Sequence, residues 1–190
     1  MLKAPRQLRT ERLVLRKPAL GDAQEIYRRY ANDLEVTRYL GWPRHKGIDD
    51  TCAFIQFSDA QWCDYPAGPY LIESGYGLLL GSTGLEFKTA DQAMTGYVLS
   101  RDAWGSGYAT EVLRAMIDLA RHLGVRELQA ICHARHRASQ RVLEKCGFAC
   151  KQDLVVEFPN LPVGEPRDAR RYELVVADAG SRSSLIPSGW

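Results

Sequence analysis

Ala109, Val112, Leu113, Met116, Ile117, Ala120 and Leu123 form an unbroken i, i+3, i+4 apolar stripe. Glu111, Arg114, Asp118 and Arg121 fall on the other side, and Gly124 is a natural stop. This is the pattern of an amphipathic helix packed on a core. A strand from Val125 to Cys132 should follow it, then a shorter helix from about Ala138 to Cys146 with Val142, Leu143 and Cys146 inward. Upstream, Pro69 to Ile72, Leu78 to Phe87 and Met94 to Ser100 are short apolar runs separated by Ser74-Gly75 and by the polar turn Lys88 to Gln92. They read as an antiparallel meander.

Near the start, Arg12 to Lys17 alternates apolar and basic residues before Pro18, which predicts a first strand. Asp22 and Glu25 stand in capping-box spacing ahead of Ala23, Ile26, Tyr27, Tyr30 and Ala31, the start of a helix. A second helical stretch is expected from about Asp50 to Cys63, after a loop at Gly41-Trp42-Pro43. Two last strands are expected at Leu154 to Phe158 and Arg170 to Val176, around a loop from Pro159 to Pro166.

The order is strand, helices, three-strand meander, long helix, strand, helix, two strands. It predicts an α+β fold: a mixed, largely antiparallel central sheet of about seven strands flanked by helices. The strands ending at Ser100 and starting at Val125 are joined by a helical crossover and should be parallel neighbours. One domain is expected over residues 1–178, with a flexible Ser/Gly-containing tail over 179–190.

Composition changes this picture little. The formal charge of +2 gives no reason to expect a nucleic-acid surface. No apolar run reaches the ~18 residues of a membrane span, and the first residues have no apolar stretch behind their charges, so a cytoplasmic protein without a membrane partner is expected. The five cysteines, Cys52, Cys63, Cys132, Cys146 and Cys150, are odd in number and lack knuckle spacing; they should be reduced thiols. His133-x-x-His136 spans a strand-to-helix turn without further ligands, so no metal is expected.

The most informative segment is Trp104-Gly105-Ser106-Gly107-Tyr108-Ala109-Thr110-Glu111, between a strand and the best helix. Glycines there let successive N–H groups face one concavity, and the helix N-terminus adds about half a positive charge, a combination that can hold a pyrophosphate without lysine; taken alone, the glycines can equally serve a tight turn's backbone geometry. It is neither a P-loop, which needs Gly-Lys-Ser/Thr, nor a dinucleotide fingerprint, because the next strand ends Ile131-Cys132-His133 without an acid.

Gly96-Tyr97-Val98-Leu99-Ser100, the glycine segment, and Ala138-Ser139-Gln140-Arg141-Val142-Leu143-Glu144-Lys145-Cys146-Gly147-Phe148 together resemble the signature of the GNAT family of N-acetyltransferases. The similarity is greatest to its RimJ/RimL-like branch, and it extends from Leu8 to Val176, including Leu8 to Arg16 and Gly81 to Leu85. It implies the acyl-CoA N-acyltransferase fold, acetyl-CoA as acyl donor, and direct transfer to a primary amine of a protein N-terminus or a small molecule through a ternary complex, by a monomer or homodimer. A catalytically silent acyl-CoA-binding module is the alternative.

By the same resemblance, Trp104, Gly105, Ser106, Gly107, Tyr108, Ala109 and Thr110 match the pyrophosphate turn. Val98 and Ser100 match the strand edge that bonds the pantetheine arm, with the Val98 N–H facing the thioester oxygen. Met94 stands where relatives place a general-base glutamate, Leu143 where many place a tyrosine that serves the thiolate, and His136 where an asparagine reaches the cofactor. Ser139 matches a serine offered as the acid in the RimL-like branch; it can equally be a helix cap. Glu86, Glu157 and His133 remain as bases, with Glu157 set on a strand face opposite Leu154, Val156 and Phe158. The region Ala31 to Tyr65 and the loop Pro159 to Pro166 should frame the acceptor mouth, with Trp42, Phe54, Phe57, Trp62 and Tyr65 as candidate lining.

Overall fold

Tyr70, Leu71 and Ile72 are all fully buried, so the strand that carries them must be covered on both faces. In the computed structural model, which describes residues 2–176, it is β3 (Tyr70–Ser74) of an eight-stranded sheet. The others are β1 (Gln7–Arg9), β2 (Leu13–Arg16), β4 (Leu79–Phe87), β5 (Gln92–Leu99), β6 (Glu127–His133), β7 (Ala149–Val155) and β8 (Asp168–Val175). Their spatial order is β1-β2-β3-β4-β5-β6-β8-β7. Every neighbouring pair is antiparallel except β5–β6, which are parallel. The α+β class and the parallel crossover are as the sequence implies; the extra strand is β1, which folds back on β2 as a hairpin.

Alternation along β5 sorts its side chains to two cores. Ala93 and Leu99 join one with Val112, Leu113 and Met116 of α4 (Tyr108–His122) and Leu143 of α5 (Arg137–Lys145). Val98 joins the other, with Leu71, Leu79, Ile26, Tyr30 and Ile55. That second face is covered by α1 (Ala23–Ile26), its π-type continuation Tyr27–Ala31, α2 (Leu34–Thr37) and α3 (Ile48–Asp64). Each fully buried Leu, Ile or Met contributes roughly 1.5–3 kcal/mol, so the two layers hold the sheet from both sides.

Two expectations are corrected here. Asp22 stands at the N-cap of α1 as expected, but its side chain does not cap that helix; it closes the preceding 3-10 turn, Leu20–Asp22, by accepting the Ala19 amide, and it also accepts the Arg16 guanidinium. The strand after α5 is β7, earlier than Leu154 to Phe158. The chain leaves α5 through Gly147, at φ 89°, and enters an edge strand whose residues are almost all exposed, so no apolar alternation marked it. Val156 and Phe158 instead pack in a small cluster with Leu161, Ala169 and Tyr39. The expected tail, 179–190, lies outside the described residues.

Candidate active site

β5 and β6 pair only over Gln92–Glu127, Ala93–Leu128 and Met94–Gln129, although β5 runs on to Leu99 and β6 to His133. Beyond Met94 the two strands separate and leave a slit in the middle of the sheet. Which backbone groups face it follows from the flanking ladders, because residues two apart point the same way. The Ser100 amide donates to Leu80 O at 2.7 Å, and Ser82 is paired with Val98. Ser100 and Val98 therefore turn their backbone groups toward β4. Tyr97 and Leu99 turn theirs toward the slit, and the Leu99 carbonyl there accepts the Trp104 indole at 2.8 Å. On β6, the bonds Val176 N to Arg126 O and Ala134 N to Asp168 O fix the even-numbered residues toward β8, so Ile131 faces the slit. This corrects the expectation for Val98 and Ser100: the slit-facing donors are the Tyr97 and Leu99 amides.

At the end of β5 a short 3-10 turn, Arg101–Ala103, leads to the glycine segment. Gly105 and Gly107 hold φ values of 73° and 81°, which glycine adopts without strain, and Gly107 is the N-cap of α4. Among the described residues the amides of Gly105, Ser106 and Gly107 have no acceptor. Those of Tyr108 and Ala109 are first-turn orphans. Thr110 is not a donor here, because its amide closes on Gly107 O at 3.1 Å. Trp104 also keeps its amide, on Arg101 O, and braces the turn through its indole.

Arg12, in the β1–β2 turn, falls within the Leu8 to Arg16 stretch of the family resemblance, but nothing in its local sequence assigns it a role. Its guanidinium donates to Ser106 O at 2.9 Å and to Glu111 Oε2 at 2.7 Å, and lies 4.6 Å from the Tyr108 ring centroid. Glu111 also accepts Thr10 Oγ1 and the Arg12 amide. Partial burial would raise the Glu111 pKa, but these hydrogen bonds outweigh it and hold the carboxyl below its ordinary value. The first hairpin thus clamps the glycine turn from outside.

The slit opens into a cleft of about 450 Å³ whose walls include Met94, Tyr97, Cys132, His136, Ser139 and Leu143. Ser139 is not a helix cap, since His136 holds that place; its Oγ lies 3.2 Å from Tyr97 Oη. Burial pushes the Tyr97 phenol up to about 12, so it stays protonated. His136 is half-buried, its ring centroid 5.1 Å from that of Tyr39. Burial first, and the neighbouring His133 second, lower its pKa, leaving a neutral imidazole near neutral pH.

His133 is unavailable as a base: Nδ1 accepts the Arg135 amide at 3.1 Å and Nε2 donates to Pro166 O at 2.8 Å. Glu157 lines the cleft mouth, but it lies beyond β7 and not on a strand face. Its side chain is 83% exposed and paired with Arg167, while Glu86 is paired with Lys88. Tyr97 is the partner that sequence reading missed; its Gly-Tyr setting was visible, but its contact with α5 was not.

On the α1–α3 side lies a second cavity of about 560 Å³, and Trp42, Phe54, Phe57 and Ser82 line both spaces. Trp62 and Tyr65 do not take part: the first packs edge-on to Tyr70, the second stacks on Phe87. The late loop meets this side of the molecule through Asn160, which accepts the Arg44 amide at 2.7 Å and donates to Thr37 O and Trp42 O, each at 2.8 Å.

Comparison with known proteins gives consistent results. The acetyltransferase (GNAT) domain profile matches residues 12–149. An uncharacterised N-acetyltransferase, YoaA of Bacillus subtilis, is 29% identical over 172 residues, 88% of this chain and 96% of the relative. RimL, a ribosomal L7/L12 α-N-protein acetyltransferase solved with coenzyme A, superposes with a TM-score of 0.77 at 20% identity, covering 88% of this chain and 96% of RimL. The microcin C7 self-immunity acetyltransferase MccE, solved with acetyl-CoA and AMP, gives 0.79 at 20% identity over 91% of this chain and 98% of that one.

Proposed function

The chain belongs to the acetyltransferase (GNAT) family of acetyl-CoA-dependent N-acetyltransferases, and on that footing we propose that it moves the acetyl group directly to a primary amine of a small molecule or protein N-terminus. The observation that carries this reading is the slit between β5 and β6 running into the glycine turn of α4. The five free amides from Gly105 to Ala109 hold the pyrophosphate at the positive end of the helix. The pantetheine amides take the place of the missing ladder partners, bonding the backbone of Tyr97, Leu99 and Ile131 as an added strand would.

Inside the cleft the amine nitrogen attacks the thioester carbon, the C–S bond breaks and coenzyme A leaves as thiolate. An amide from the slit edge of β5, that of Tyr97, stabilises the developing oxyanion; one well-aimed donor is worth ~3 kcal/mol. The amine must lose a proton, and neutral His136, half-buried and without a side-chain hydrogen bond among the described residues, takes it; we prefer it to Glu157, which is committed to Arg167. Ser139, held by Tyr97, returns a proton to the thiolate and draws on the phenol behind it.

The test is twofold. Acetyl-CoA should raise the melting temperature, since a hundredfold excess over Kd gives ~2.7 kcal/mol of stabilisation. A panel of amines should then release coenzyme A thiol. No melting shift at millimolar acetyl-CoA sinks the reading, while binding with no turnover of any amine makes the chain a silent acyl-CoA-binding module.

A further inference from the structure

We infer that the cavity beside the slit selects an acceptor amine carrying a flat unsaturated ring and an anionic group, and disfavours polyamines. The inference rests on the chain being an amine acetyltransferase and assigns the substrate class of that site. The cavity is well placed for it. Ser82 and the aromatic wall line both the cavity and the cleft, and Ser82 is paired with Val98 on β5. A ligand seated among these residues reaches the slit with one end.

The wall is aromatic where no fold requirement demands it. Phe57 is 54% exposed, and Trp42 and Phe54 are only partly buried at the edge of their core. Between them sits His45, with ring centroids 5.3 Å from Trp42 and 6.4 Å from Phe54. Its Nδ1 is engaged with Thr51 Oγ1 at 2.8 Å, and burial lowers its pKa, so it adds a flat neutral face and no charge. Stacked or edge-on aromatic contacts contribute beyond simple area burial, which favours a planar ring over a flexible chain.

The polar groups set the sign of the charge. Tyr30 is 2% exposed and bounds the cavity, but its hydroxyl is sealed inside beside Ser82 and does not reach a ligand. At the rim, Lys46 Nζ has no hydrogen bond or ion pair among the described residues, and Arg44 uses Nη1 alone, on Asn32. The one acid of the cavity, Asp50, accepts the amides of Lys46 and Gly47 on Oδ2 at the start of α3, which directs that oxygen to the backbone. Glu86 and Glu157 in the cleft are paired with Lys88 and Arg167. A polyamine would find two cations against the single carboxylate of Asp50; a carboxylate or phosphate would find two charged donors.

Calorimetric titration of the acetyl-CoA-loaded protein tests this with pyridoxamine 5′-phosphate, pyridoxamine, tryptophan, tryptamine and spermidine. Each anionic ring amine should bind at least ~10-fold tighter than its counterpart lacking the anionic group, ~1.4 kcal/mol. Spermidine should bind most weakly. The phosphate and carboxylate arms show which anion is preferred. An Arg44→Gln/Lys46→Gln double variant should bring pyridoxamine 5′-phosphate down to the affinity of pyridoxamine, and Phe57→Ala should weaken all ring ligands. Equal affinity for pyridoxamine and its phosphate together with equal affinity for tryptamine and tryptophan, or tighter binding of spermidine, overturns the inference. Thiol release measured alongside separates the two claims. Preferential binding without turnover upholds the pocket and sinks acetyl transfer, whereas turnover of spermidine alone does the reverse.

Discussion

Replacing Gly107 with glutamate attacks the proposed pyrophosphate site at its centre, and Gly107→Ala is the control that separates folding from binding. Gly107 sits at φ 81°, and an added Cβ would meet nothing closer than the Arg12 guanidinium at 3.5 Å. The fold therefore bears only the left-handed backbone cost, ~1–2 kcal/mol, which lowers Tm by about 2–8 °C in a chain of this size. Both variants share that loss. Glutamate adds a carboxylate at the mouth of the five amides; at roughly 6 Å and an effective dielectric near 20 to 80 it costs ~0.7–3 kcal/mol per phosphate charge. Two charges give at least about a tenfold rise in the Kd of coenzyme A beyond that of the alanine variant, and added salt should shrink the gap. Calorimetry of coenzyme A binding and thermal melts on the same preparations measure both quantities. A folded Gly107→Glu protein that binds coenzyme A within threefold of the alanine variant would show that the pyrophosphate lies elsewhere.

Ser139→Ala should lower kcat at saturating acetyl-CoA by ~10–100-fold with little change in Tm, and Tyr97→Phe should give a smaller loss; unchanged turnover in Ser139→Ala removes the serine from the chemistry. Arg12→Ala should raise the KM for acetyl-CoA while sparing kcat, at ~1 kcal/mol of stability, and Arg12→Lys should not restore it because the fork across Glu111 and Ser106 is lost. His45 and His136 both have depressed pKa values, so each stabilises the fold fully above the ordinary histidine value of 6.5 and loses that contribution as pH falls below it. Tm should accordingly decline below pH 6.5 and less steeply in His45→Gln, as read by melts across pH 5 to 8.

The long helix, the meander and the crossover were legible because each carries a regular apolar period and ends on a glycine or polar turn. β7 was not, since an exposed edge strand buries too little to leave a period, and Val156 and Phe158 offered a false one. The glycine turn was readable from local chemistry alone. The direction of each β5 amide was not, because it depends on the register with β4, where Ser82 meets Val98. Arg12 and Tyr97 act across sequence separations of 99 and 42 residues, on Glu111 and Ser139, and no local spacing encodes such contacts.

The slit also has a mechanical meaning. A continuous sheet resists opening because every strand is laced to the next, but here five strands and three strands form two leaves stitched by three residue pairs and the α4 crossover. On the binding proposed above, a pantetheine arm bonded to both leaves acts as a rivet beyond the stitched end. The amides of Tyr97, Leu99 and Ile131, which lack a ladder partner while the leaves stand apart, would then become interior ladder bonds. Amide exchange at those three positions then reports the closing of a seam, and acyl donor and sheet lose their freedom together.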